Sequence, residues 1–105
     1  MSKWRRYEIF LPLRFNDGQA VPEPIVTDVL LELEERFGAV SCDTQIIRGL
    51  WQSEGEVFRD DLVRVFVDVV DLPRNRHFFR QFKKRLKARF RQIEIWMTTY
   101  PVEVV

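Results

Sequence analysis

The sequence predicts an α+β domain, with two amphipathic helices laid on one face of a four-stranded antiparallel sheet. Three observations carry that expectation. The apolar period switches between two and three-to-four residues in the order β-α-β-β-α-β. Glycine, proline and acidic turn residues punctuate each switch. A chain of 105 residues also holds one core without staples, and not two. Joined by right-handed crossovers, these elements make the ferredoxin-like arrangement, strand order 4-1-3-2, as a single domain over residues 1–105.

Each element has its own warrant. In YEIFLPLRF, Tyr7, Ile9, Leu11, Leu13 and Phe15 alternate with Glu8, Phe10, Pro12 and Arg14, the pattern of a half-buried first strand. NDGQAVPEP turns the chain, and its prolines suit a helix start, where the first N–H groups lack partners anyway. Val26, Val29, Leu30, Leu33 and Phe37 then recur at helical steps, and Gly38 stands where a left-handed residue closes a helix. From about Val40 to Gln52 the chain reads as extended; SEGE turns it, and FRDDLVRVFVDVV returns as a third strand, completing a hairpin. Pro73 opens the second helix, whose Phe79, Phe82, Leu86 and Phe90 fall on one stripe. QIEIWMTTYPVEVV reads as the last strand, with Ile93, Ile95 and Met97 on one face.

The two faces of the sheet differ. Ile9, Leu11, Leu13, Val63, Val65, Val67, Val69, Ile93, Ile95 and Met97 face the helices. The other face carries Arg6, Glu8, Phe10, Arg64, Phe66, Asp68, Glu94, Trp96 and Trp51, and large aromatic rings without a cover mark a surface that meets another molecule. Phe10, Trp51, Arg64, Phe66, Asp68 and Trp96 are therefore the candidate dimer or ligand face. Phe10 and Phe66 sit where single-stranded RNA binders of this topology stack bases, but the third strand has no glycine, and Glu8, Asp68 and Glu94 repel phosphates. The expectation is a homodimer through the sheet.

Charge raises a second reading. The net charge is +1, yet nine of the 17 Lys and Arg lie in residues 74–91 without one acid among them. Like charges three or four apart on a helix cost about 0.2–0.5 kcal/mol per pair, so this segment calls for a neutralising neighbour. Asp28, Glu32 and Glu35 of the first helix fit that role, as does a partner subunit. A phosphate backbone also fits, and the ridge Arg76, Arg80, Lys83, Lys84, Lys87 and Arg91 makes nucleic-acid binding the alternative function.

Catalytic patterns are scarce. No G-x-S-x-G, phosphate-binding loop, dinucleotide fingerprint or Cys/His metal spacing occurs, so no catalytic residue, cofactor or resident metal is expected. Cys42, the single cysteine, forms no internal disulfide and reads as a small buried strand residue; His77 reads as solvated surface. Carboxylates leave a third reading, metal-assisted phosphoryl transfer at Asp60, Asp61 and Glu94. No run of eighteen apolar residues occurs, and MSKWRRYEIF has no signal-peptide core, so no membrane partner and a cytoplasmic location are expected.

DG after the first strand, FG ending the first helix, RGLWQSEG through the hairpin, RVFVDVV in the third strand and FKKRLKARFRQIEIW beyond it resemble a group of short bacterial proteins of unknown function. A G-x-W…G hairpin, an R-V-x-V strand and an F-K-x-R-F-x-Q ending recur in that group, and the resemblance runs from about Tyr7 to Trp96. It implies the same element order and no activity. In the group's terms Gly49, Trp51, Gly55, Arg64 and Gln92 are positions tied to shape: Gly49 for a close backbone approach that aims Trp51, Arg64 for a pair with Asp68, Glu8 or Glu94. The sequence as a whole thus reads as a small interaction or regulatory module that self-associates.

Overall fold

The computed structural model describes residues 2–105. Its elements are β1 (Trp4–Pro12), α1 (Glu23–Phe37), β2 (Ser41–Cys42), β3 (Ile47–Ser53), β4 (Glu56–Val70), α2 (Pro73–Arg89) and β5 (Met97–Val102). All pairings are antiparallel; the sheet runs β2-β4-β1-β5, with β3 also on β4.

The sheet has five strands where the sequence predicts four. The expected second strand is broken into β2 and β3, which share one edge of β4: Cys42 pairs with Val65 and Ile47 with Leu62. Residues 43–46 therefore face only residues 63–64, and the surplus leaves the ladder as a bulge. Asp43 holds the break in place, its N–H donating to Arg64 O at 2.9 Å and its carboxylate accepting from Arg64 Nη1 at 3.2 Å. Ile46 swings outward and is exposed.

The last strand is shorter than expected. It starts at Met97, because residues 91–96 first finish the helix and then bond locally. Arg91 has φ 53, Gln92 N donates to Lys87 O, and buried Gln92 Nε2 donates to Phe90 O at 3.1 Å. Glu94 Oε1 accepts from the N–H of Ile95, a side-chain bond that competes with the ladder. Ile95 is buried as expected, but Ile93 is exposed and does not join the helix-covered face.

Elsewhere the periods hold. Tyr7, Ile9 and Leu11 of β1 and Val65, Val67 and Val69 of β4 are buried under Val29 and Leu33 of α1 and Phe79, Phe82 and Leu86 of α2. Tyr7 stacks on Phe79 with centroids 3.8 Å apart. Leu13, Val63 and Met97 are only half-buried, at the margin of this core. Gly38 takes φ 86 as the left-handed cap, its N–H bonded to Glu34 O. Glu54 and Gly55 both have positive φ, 51 and 81, the two-residue turn whose twist suits a tight hairpin.

One feature positions the site. The β1–β4 ladder runs from Trp4 opposite Val70 to Pro12 opposite Leu62 and ends there, at a residue with no N–H to give. Leu13 N adds one bond to Asp61 O, but β4 continues back to Glu56 with β3 as its one paired strand among the described residues. The β3–β4 hairpin thus projects beyond the sheet, and the molecule measures 46 × 29 × 24 Å. Among the described residues no helix is long and apolar enough to cross a membrane.

Candidate binding surface at the open face of the sheet

The middle of the open face is closed by its own side chains. Phe66 lies between two guanidinium groups, with Cζ of Arg6 4.7 Å and Cζ of Arg64 4.3 Å from its ring centroid. Arg6 forks onto Asp68, its cross-strand neighbour, at 2.7 and 2.9 Å. Arg64 donates to Glu8 Oε1 at 2.5 Å and to Asp43, and the hydroxyl of Tyr100 donates to the same Glu8 oxygen at 2.7 Å. The Arg64 bond first, then the Tyr100 bond, holds the Glu8 carboxyl below its ordinary range, while Glu8 raises Arg64 and Asp68 raises Arg6. Of the six residues expected on a dimer or ligand face, Arg64, Phe66 and Asp68 belong to this internally satisfied network. Arg64 chooses Glu8 and Asp43 rather than Asp68 or Glu94.

The other three, Phe10, Trp51 and Trp96, line one cleft where the hairpin leaves the sheet. It has a volume of about 590 Å³, with Ile47, Leu62, Ile93 and Asp60 also on its walls. Trp51 stacks on Phe58, centroids 4.4 Å apart, and its Nε1–H donates to Asp60 Oδ2 at 2.6 Å. A Cβ at Gly49 would lie 3.0 Å from Leu62 Cδ1, a side-chain methyl group rather than the backbone expected there. Phe10 N donates to Trp96 O, which continues the β1–β5 pairing by one bond and sets Trp96 beside Phe10, 63% exposed. Phe58 and Asp60 were missed as neighbours of Trp51, although counting outward from a two-residue turn pairs Trp51 with Phe58 and Gly49 with Asp60.

The basic ridge is broken up. Arg76 forks onto Asp71 at 2.9 and 3.0 Å, and this pair, then Arg5, keeps the Asp71 carboxyl below its ordinary range. Lys83 meets Glu94 at 3.1 Å and lowers it. Arg91 lies over the Phe15 ring. Arg80, Lys84 and Lys87 have no ion pair among the described residues. Of the acids expected to neutralise the helix, only Glu32 reaches it, at Arg85 and Arg89, neither on the ridge. Among the described residues two of the six ridge cations, Arg76 and Lys83, are paired with carboxylates and a third, Arg91, is turned onto Phe15, so the ridge is not a continuous row, and nucleic-acid binding is not supported.

Asp60, Asp61 and Glu94 do not assemble. Neighbours on a strand point to opposite faces, Asp61 leans toward Arg48 at 3.8 Å, and Glu94 is held by Lys83. Among the described residues no group of three or more His, Cys, Asp or Glu is placed to hold a metal ion. Cys42 is exposed on the two-residue β2, not buried; partial desolvation and then Asp43 push its thiol up. His77 is exposed.

No protein-family model matches the sequence, and no curated protein matches it. Among solved structures, a phage SAM lyase in complex with S-methyl-5'-thioadenosine is similar over 99% of this chain and 92% of its own, with 15% identity and a TM-score of 0.69. The divalent cation tolerance protein CutA1 of Thermus thermophilus is similar over 97% and 86%, with 17% identity and a TM-score of 0.65. CutA of Synechococcus elongatus covers 97% and 79% at 9% identity and a TM-score of 0.61. The likeness is one of fold. It agrees with two helices on an antiparallel sheet and selects no activity, since one fold hosts many unrelated sites.

Proposed function

We propose that this chain is a small cytosolic binding module that self-associates through the projecting end of its sheet. The observation that carries the reading is the hairpin: among the described residues no strand pairs with Glu56 to Asp60 on the β1 side, and apolar residues occupy both faces of the ribbon. Trp51 and Phe58 pack on one face; Leu50 and Val57, on the other, are 72% and 59% exposed. A two-stranded ribbon alone is marginal in water, and a bare strand edge is a template for pairing. A second copy laid along that edge satisfies the free N–H and C=O groups. It also buries Leu50 and Val57, worth roughly 1.5–3 kcal/mol each when complete.

The same reasoning moves the interface away from the centre of the open face, where Arg6 and Arg64 already cover Phe66. The reading keeps the proposed kinship with the short bacterial group, whose G-x-W…G positions here are Gly49, Trp51 and Gly55 of the hairpin. An exposed lone thiol at Cys42 fits a reducing compartment. Sedimentation equilibrium tests the proposal. The chain is expected at a multiple of 12.7 kDa, with Leu50→Glu/Val57→Glu returning it to the single-chain mass at unchanged far-UV circular dichroism. A wild-type chain at 12.7 kDa throughout the high micromolar range overturns it.

A further inference from the structure

The partly buried carboxylates of this protein follow a rule with one exception. Glu8, Glu32, Asp43, Asp61, Asp68 and Asp71 each lie within ion-pair distance of an arginine. Asp60 does not: among the described residues its only partner is the neutral Nε1–H of Trp51, on one of its two oxygens. A half-desolvated carboxylate is costly without a counter-charge, which is why the others have one. Asp60 faces the cleft lined by Phe10, Trp51 and Trp96. The rings there present electron-rich faces, which attract a cation and discriminate against an anion. Hydrogen bonding from Trp51 also fixes the Asp60 carboxylate and the indole relative to each other, so the carboxylate and ring are positioned before any ligand arrives.

We propose that this cleft binds an organic cation, an alkylammonium head group set against Asp60 with its alkyl substituents on Trp51, Trp96 and Phe10. The volume, about 590 Å³, is in the usual range for a small-molecule site and exceeds what a bare metal ion requires. An inorganic cation is a poor occupant, because hard ions take several oxygen ligands and, of the two acids that line the cleft, Glu94 is already paired with Lys83. Strand alternation sets Leu50 and Val57 on the opposite face of the ribbon from Trp51 and Asp60, but Leu50 also borders the cleft, so Val57, which does not, is the position that separates self-association from binding at Asp60.

The experiment compares choline with its uncharged isostere 3,3-dimethyl-1-butanol on the full chain, by isothermal titration and by tryptophan fluorescence at fixed ionic strength. Choline is expected to bind at one site per chain and the isostere at least about tenfold more weakly, as a cation–π and ion-pair contact requires. Asp60→Asn keeps an acceptor for Trp51 and removes the charge; it is expected to bring choline to the level of the isostere with the melting temperature unchanged. Trp96→Ala, at an exposed ring, is expected to weaken choline about five- to tenfold without loss of fold. Equal binding of choline and the isostere, no saturable choline binding, or undiminished choline binding by Asp60→Asn each overturns the proposal. The oligomer mass, measured on the same samples, reports on the hairpin independently.

Discussion

Replacing Arg64 with Met probes the network that closes the open face. The substitution keeps much of the aliphatic stem and removes the guanidinium, so Glu8 and Asp43 lose their cation and Phe66 loses one of its two covers. The side chains of Arg64 and Glu8 are 23% and 15% exposed, which places the pair between a surface cross-strand contact and a buried one. The former is worth about 0.2–1 kcal/mol and breaking the latter costs about 3–5. Glu8 keeps the Tyr100 hydroxyl, so about 2 kcal/mol is assigned to the orphaned charge and about 0.5–1 to the lost cation–π contact. The expected loss is about 2–3 kcal/mol, or about 10–20 °C in melting temperature for a domain of this size. Urea unfolding followed by tryptophan fluorescence, at one fixed protein concentration, measures it. In a cycle with Glu8→Gln the double variant is expected to lose about 1 kcal/mol less than the sum of the singles. A loss below about 0.5 kcal/mol, or strict additivity in the cycle, refutes the reasoning, because the two side chains would then act independently.

Further outcomes follow from the same contacts. Glu8 titrates below its ordinary 4.5 in the folded chain, so its contribution is complete above that pH and is lost as pH falls through the lowered value. The stability difference between wild type and Glu8→Gln is expected to be flat from neutral pH down to about 5 and to shrink below 4.5; a difference independent of pH contradicts the ion pair. Phe79→Ala removes a ring that is 1% exposed and stacked on Tyr7, and is expected to cost about 3–5 kcal/mol in urea unfolding. Lys84→Gln relieves like-charge contacts with Arg80 and Lys87 and is expected to stabilise by roughly 0.4–1 kcal/mol at low salt, with the gain vanishing in molar salt. The thiol of Cys42 is expected to react with iodoacetamide at neutral pH more slowly than a free cysteine, because its raised pKa leaves less thiolate.

Strong, uninterrupted periods were legible in the sequence. The valines of β4 and the Phe79, Phe82 and Leu86 stripe could sit in one way only, because a shift of one residue would turn each set to water. The break at residues 43–46 was not legible: Asp43, Thr44 and Gln45 are tolerated in an edge strand, and the bulge depends on Arg64 of the neighbouring strand reaching Asp43. The start of β5 was misread for a different reason. Ile93, Ile95 and Met97 alternate as a strand does, but a left-handed Arg91 and the Glu94 bond to Ile95 spend the backbone locally. In the site, the aromatic content of the open face was legible and its division was not. Which rings are covered depends on long arginine side chains reaching across strands, a choice that period and composition do not encode. The projection of the hairpin did leave a mark, since Pro12 stops the β1 ladder while the third strand reads on for several residues before it.

Hydrogen exchange read by mass spectrometry at two protein concentrations tests the central claim most directly. If a second copy pairs with the projecting hairpin, peptides spanning residues 47–61 gain protection as concentration rises while those of β1 and α2 do not change. Exchange across that hairpin that is fast and indifferent to concentration contradicts the account.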